Sequence, residues 1–251
     1  FFKIYPQKKK KKMKLLQNMT FESLSSSLSV SGESINIQAS IESYSCKMTT
    51  NDKRLYKELN MHGHSPKDLE ALAPSESQVQ KNSVSPQSTF QSRSRLSSTD
   101  EDSSNIVLVM NRKMLFTLIS TLNASFPDYE FSHVKSEEFS REPDLPWVIN
   151  NVNSLLSTAM GEEFAILSTD MWKAINDEIN LQNCQIYSYH PDMETDPFGE
   201  EGSVWSFNYF FFNKQIKRIV FFKCTGLSGH WEGELINLKL SSSLDCSGAM
   251  G

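Results

Sequence analysis

Residues 204–224 read VWSFNYFFFNKQIKRIVFFKC, two runs of aromatic and β-branched residues on either side of Asn213-Lys214. Such side chains suit a pleated surface, and Asn tolerates the positive φ of a tight turn. The stretch therefore predicts an antiparallel hairpin turning at Asn213-Lys214. Alternation puts Trp205, Phe207, Tyr209 and Phe211 on one face of the first strand. Ser206, Asn208, Phe210 and Phe212 fall on the other. In the second strand Ile216, Val220 and Phe222 share a face with Arg218, while Ile219 and Phe221 lie between Lys217 and Lys223. Where residues 210–212 meet 219–222 both faces are apolar, which predicts the centre of a sheet covered on at least part of both sides. A cofactor box of aromatics is disfavoured, because nothing polar converges on them.

The rest of the chain supplies elements to cover that sheet. Thr20 is placed to cap a short helix with Phe21, Leu24 and Leu28 inward, and residues 30–33 (VSGE) read as a turn. Ile35, Ile37, Ala39 and Ile41 then alternate with polar residues in a strict period of two, a half-buried strand running towards Tyr44 and Cys46. Residues 52–59 allow a short helical piece. From Asn111, Leu115, Leu118, Ile119, Leu122 and Phe126 form a helical stripe ended by Pro127. Residues 127–132 (PDYEFS) read as a short strand and 140–146 as a loop. Val148, Val152, Leu155 and Ala159 make a second helix, begun at Pro146 and stopped at Gly161. Ser168 is placed to cap a third, with Trp172, Ile175 and Ile179 inward. Residues 185–189 (QIYSY) are another strand, and 190–202 an acidic loop. Strands before, between and after helices predict an α+β fold, a mainly antiparallel sheet packed by three main helices.

Residues 74–105 have almost no apolar side chains and no period, so they cannot bury enough surface to offset the entropy of ordering. A two-stranded N-terminal piece is marginal alone. The reading is therefore a single domain interrupted by a disordered Ser-rich linker. Residues 13–61 and 106–224 form the two parts of the composite domain, 62–105 the linker, and 225–251 a divergent polar tail. Residues 1–12 are a basic leader with six lysines ahead of Met13. Two readings of it stay open, translated upstream sequence or a nuclear address. Removing those lysines takes the formal charge from −5 to −11, and an acidic body argues against direct binding to bare nucleic acid. No stretch approaches the ~20 apolar residues of a membrane span. Cys46, Cys184, Cys224 and Cys246 are scattered without a C-x-x-C pair, which points to a reducing setting.

Chemistry is sparse. Asp192-x-Glu194-x-Asp196 resembles a calcium loop, but the sixth position is Pro197 and the twelfth Ser203, where Gly and Glu belong. His62-Gly-His64 lacks partners in sequence. Asp177 and Glu178 diverge on a helix and read as a solvated face. No phosphate loop, G-x-S-x-G elbow or H-E-x-x-H occurs. Neither a cofactor nor a metal is expected. The linker does carry a mechanism. Ser98 follows Arg93 and Arg95 in a spacing suited to basophilic kinases, Ser97 lies two after Arg95, and Ser65-Pro66 and Ser85-Pro86 suit proline-directed kinases. Each phosphate adds about −1.5 to −2 charges.

Several stretches together resemble one family. IESYSCK (41–47), PDYEFS (127–132), FSREP (139–143) and DPFG (196–199) followed by WSFNYFF (205–211) are similar to the eukaryotic Maf-type repressors of RNA polymerase III, from Met13 to about Cys224. The resemblance implies a non-enzymatic regulator that moves between nucleus and cytoplasm. It implies binding to the polymerase on its clamp side. Engagement with a promoter-bound initiation factor, containing a Brf subunit and the TATA-binding protein, is then blocked. Nutrient-responsive kinases and phosphatases switch the linker. Ser85 matches a proline-directed family site and residues 97–99 a nearby one, while the first such site falls on Ala73. Of the hallmark residues, Tyr129, Phe131, Trp205, Phe207 and Tyr209 are read as mostly core. Lys214, Lys217 and Arg218, near the hairpin turn, are the candidate partner contacts. The alternative class is a small-molecule enzyme on an α+β scaffold, with titratable groups converging around His190, Asp192 and Glu194.

Overall fold

The hairpin is the centre of the molecule. The computed structural model describes residues 13–32, 34–48, 65, 67–75, 108–190, 196–198 and 202–229, together with Lys53 and Tyr56. β7 (Ser203–Asn213) pairs antiparallel with β8 (Arg218–Ser228), Phe210 opposite Phe221 and Phe211 opposite Val220. β2 (Ile35–Ser45) runs along the whole of β8, from Ile35 opposite Ser228 to Ser45 opposite Arg218. β1 (Lys14–Leu16) lies outside β2, and β6 (Gln185–Tyr189) then β5 (Phe139–Arg141) lie outside β7. The sheet has six antiparallel strands in the order β1-β2-β8-β7-β6-β5, so segments on both sides of the insert share one sheet. A separate ribbon joins β3 (Leu69–Ala71) to β4 (Val109–Asn111).

Both faces are covered at the centre. On the first, Ile37, Ile41, Phe207, Tyr209, Phe211, Val220 and Phe222 pack against α1 (Met19–Leu28), α3 (Leu145–Met160) and α4 (Glu162–Ile179). On the second, Tyr44, Tyr187, Tyr189, Phe210, Ile219 and Phe221 pack against α2 (Arg112–Ser125) and the chain that follows it. Phe210, Phe211, Phe221 and Phe222 are fully buried, each contributing on the order of 2–3 kcal/mol of apolar burial. Beyond β1, the outer edge of β2 is sealed by α1. Ser25 Oγ accepts from Ile41 N at 2.9 Å, Ser29 Oγ from Ala39 N at 3.0 Å, and Val30 O from Ile37 N at 2.7 Å. Ser25 of α1 and Ser29 at its C-cap thus satisfy donors that a bare edge would leave open. Among the described residues no helix is long and apolar enough to cross a membrane.

Several local readings are corrected. The hairpin turn holds four residues, 214–217, and the positive φ (52°) belongs to Lys217. Asn213 ends β7 with its side chain buried, donating to Ile179 O at 2.8 Å and accepting from Gln215 N at 3.0 Å. Ile216 therefore leaves the strand and is exposed. Asn18, not Thr20, caps α1 through Oδ1 and the Phe21 amide. Ser168 is interior to α4, which starts right after Gly161. Residues 127–132 form a turn and irregular chain instead of a strand, and Ser140 and Arg141, read as the start of a loop, join Phe139 in β5. The stretch read as linker contains β3 and buries Leu72 and Ser75. Residues 76–105 of that stretch, the helical piece at 52–59 apart from Lys53 and Tyr56, and His62 and His64 lie outside the described residues. β8 continues past Cys224 to Ser228.

Candidate interaction surface

The sequence motifs converge on the second face of the sheet. α2 ends at Ser125, Phe126 N–H donates to Leu122 O, and Pro127 turns the chain. Asn123 Oδ1 accepts from Phe131 N at 3.0 Å and fixes the return. Phe131 is thereby buried against Tyr189, while Tyr129 stays 41% exposed. From the other side, Asp196 accepts from the Tyr189 hydroxyl at 2.5 Å, and Pro197 turns Phe198 inward. Phe198 is buried with its ring 5.2 Å from Phe126 and 6.2 Å from Tyr189. Phe139 meets Tyr189 at 5.2 Å and Phe210 at 6.2 Å, and Phe210 stacks on Phe221 at 4.3 Å. Four motifs distant in sequence thus form one aromatic cluster of edge-to-face, tilted and stacked pairs.

The cluster stops at Lys223. Its ammonium sits 3.9 Å from the centroid of the Phe126 ring, donates to Ser125 Oγ, and lies 3.5 Å from Glu42. Glu42 also accepts from Ser40 at 2.9 Å, Tyr44 at 2.7 Å and Ser125 at 2.5 Å. Desolvation pulls the Lys223 pKa down and outweighs the opposing pull of Glu42. Burial, reinforced by the Glu42 charge, pushes the Tyr44 phenol up. The lysine and carboxylate cancel, so the network presents no net charge. One row further along the strands the sheet face turns polar. Gln38, Ser40 and Thr225 form the floor of an open groove of about 330 Å³, whose other wall is Phe126, Tyr129, Pro197 and Phe198.

The other side-chain clusters are occupied within the fold. Glu178 accepts from Arg218 at 2.9 Å, from Ser43 at 2.6 Å and from Asn18 at 3.4 Å, tying the end of α4 to the sheet. Glu178 is therefore an anchor, not part of a solvated face, and Arg218 is held in an ion pair with it, its side chain 41% exposed. Asp177 is exposed beside Lys173, and Lys214 and Lys217 are exposed as expected. His190 Nε2 lies 2.6 Å from Ser140 Oγ, a spacing that in an open cleft suits a nucleophile and its base. Here Ser140 is fully buried, and its hydroxyl also reaches Ala73 O at 3.1 Å and Pro74 O at 3.0 Å. One hydroxyl proton directed at those carbonyls leaves the ring N–H as donor. The pair holds residues 73–74 against the edge of β5, where Ala73 N donates to Phe139 O. Asp192 and Glu194 lie outside the described residues, as do Ser85, Ser97 and Ser98. No group of three His, Cys, Asp or Glu among the described residues is arranged to hold a metal.

Of the hallmark residues, Phe131, Phe207 and Tyr209 are core, Trp205 is half-buried over Gly226, and Tyr129 is the exposed exception. Sequence reasoning missed Glu42, Phe198 and Lys223 as members of the site. The available signal was Lys223 itself, a lone cation on the face that carries Phe221 within a strand apolar on both sides.

A six-stranded antiparallel sheet with three helices across one face, and a fourth that leaves an aromatic-walled groove open at one end of the other, defines an α+β protein whose candidate site is a surface. A family model described as Maf1 regulator matches residues 37–223. The chain is 33% identical over 221 residues to the "Repressor of RNA polymerase III transcription maf1" of Schizosaccharomyces pombe, covering 88% of this chain and 86% of that protein. It is 45% identical over 118 residues to the "Repressor of RNA polymerase III transcription" of Dictyostelium discoideum, covering 47% of this chain and 42% of that one. Among solved structures it matches a crystal structure of citrus MAF1 with TM-score 0.56 and 27% identity, over 84% of this chain and 97% of that one. The chain belongs to the Maf1 regulator family.

Proposed function

We propose that this chain represses RNA polymerase III transcription of transfer RNA and 5S RNA genes without catalysing a reaction. The observation that carries the reading is the extent of the family match, which spans strands on both sides of the insert. Repression works by occupancy: the folded body binds the polymerase on its clamp side and blocks engagement with the Brf-containing initiation factor. A formal charge of −5 suits contact with protein better than with a phosphate backbone. Phosphorylation of Ser85, Ser97 and Ser98 by nutrient-responsive kinases adds about −1.5 to −2 charges per site and weakens that contact; phosphatases restore it. The protein shuttles between cytoplasm and nucleus with this cycle.

The test is transcription of a transfer RNA gene in a purified system. Wild-type protein lowers output in proportion to its concentration, and the variant carrying Ser85→Glu, Ser97→Glu and Ser98→Glu lowers it less. Unchanged output with wild type at every concentration refutes the reading.

A further inference from the structure

We infer that the groove beside Tyr129 is a docking site for an extended, arginine- or lysine-bearing segment of a partner protein, an inference that rests on reading this chain as a partner-binding protein. The groove exists because α2 ends at Ser125, over Lys223, while β2 and β8 continue. Past that point the first face is still covered: Ile37 and Cys224 are buried in its core. The second face is left to Gln38 and Thr225, with Gln38 exposed. A hydroxyl and amide floor offers hydrogen bonds to an extended backbone without demanding a particular side chain.

The wall selects the side chain. Phe126 and Tyr129 present ring faces and edges at a centroid separation of 6.2 Å, and Tyr129 is exposed. Such faces attract a cation, and a planar guanidinium most of all. The charge around them has the matching sign. Asp128 and Glu130 flank Tyr129 and are exposed, Asp196 precedes Pro197 at the opposite rim, and residues 126–130 and 196–198 contain no basic side chain. Lys223 is the one cation lining the groove among the described residues. Its charge is met by Glu42 and its ammonium faces the Phe126 ring, so it does not offset the acidic rim. The same rim repels nucleic acid, and the groove is open along the strands instead of closed over a small molecule.

The experiment uses the full chain and fluorescein-labelled short peptides of alternating arginine and serine, or glutamate and serine, followed by anisotropy. The arginine peptide binds with an affinity that falls as salt is added, and the glutamate peptide does not bind. Tyr129→Ala weakens binding about tenfold, and Tyr129→Phe, which keeps the ring contacts with Phe126 and Phe131, binds as wild type. Asp128→Lys with Glu130→Lys weakens it further. Asp170→Lys, a charge reversal on the exposed face of α4, leaves it unaltered and so separates docking from general attraction to an acidic protein. Binding that ignores Tyr129→Ala or responds equally to Asp170→Lys overturns the inference. Repression of transfer RNA gene transcription is measured on the same preparations. Wild type that represses but binds no arginine peptide refutes this inference and leaves the proposed function standing; peptide binding without repression does the reverse.

Discussion

Changing Glu42 to Gln tests whether the polar network under Phe126 acts as one unit. The substitution keeps the side-chain shape and removes the charge. Glu42 takes hydrogen bonds from Ser40, Tyr44 and Ser125 and faces the Lys223 ammonium at 3.5 Å, with side chains 21% and 17% exposed. An amide cannot accept from all of these, because one of its two heads is a donor. Removing one member of a fully buried pair costs about 3–5 kcal/mol; residual exposure brings the expectation to about 2–3 kcal/mol. Lys223→Met is milder, about 1 kcal/mol. The thioether chain fills the same space over Phe126, and Glu42 keeps its three hydroxyl donors. The double variant then costs less than the sum of the two, by about 1–2 kcal/mol. Urea unfolding with a constant m-value supplies all three numbers. The lysine also leaves a signature in pH. Its folded pKa is depressed, so between that value and the ordinary 10.5 the unfolded chain holds a proton the folded chain lacks. Stability of the wild type therefore rises with pH across that window relative to Lys223→Met. Strict additivity, or a Glu42→Gln cost below about 0.5 kcal/mol, refutes the coupled network.

Other outcomes follow from single positions. Phe210→Ala empties a fully buried site stacked on Phe221 and lowers stability by about 3–5 kcal/mol, read by denaturant unfolding. Lys217→Gly relieves a left-handed residue with φ 52° and raises stability by up to about 1 kcal/mol, read as a higher unfolding midpoint. Gly226→Ala sets a Cβ 2.5 Å from the Trp205 ring; the indole must leave its seat, and its fluorescence shifts to the red. Burial raises the thiols of Cys46, Cys184 and Cys224 from 9.0 to about 12. Between those values the unfolded chain has released protons the folded chain keeps, so stability falls as pH rises, and Cys224→Val flattens the slope in pH-dependent urea unfolding.

The hairpin was legible because residues 210–212 and 219–222 are apolar on both faces, and only an inner strand pair buries two faces at once. The helices were legible where their apolar stripe had the right period, and their starts less so. Asn18 lies two residues ahead of the cap expected at Thr20, and the acidic first turn of α4 at Glu162 and Glu163 preceded the capping serine expected at Ser168. Residues 127–132 look like a strand because Tyr129 and Phe131 alternate with acids, but the alternation serves to drop Phe131 into the core from an irregular segment held by Asn123. β3 was hidden because three residues carry too little pattern, and its partner Val109–Asn111 lies beyond the insert.

The end of β8 shows why composition misled most. Residues 225–228 read TGLS, a polar and glycine-bearing run that resembles the start of a tail. They are paired on both sides, Thr225 with Gln38 and Ser206, Gly226 with Ile37 and Trp205. Polar residues are tolerated on the second face there because α2 no longer covers it, and glycine is required on the first because the Trp205 ring lies where any side chain would stand. The same absence of cover that makes the strand unreadable opens the groove beside Tyr129. A sheet that carries backbone pairing past the end of its covering helix can keep that face in water only by making it polar. Had the surface been idle, a Lys or Glu at Gln38 or Thr225 would have served as well as the uncharged residues present. An uncharged floor between an aromatic wall and an acidic rim confines the attraction for a cation to the wall and rim, leaving the floor to a backbone.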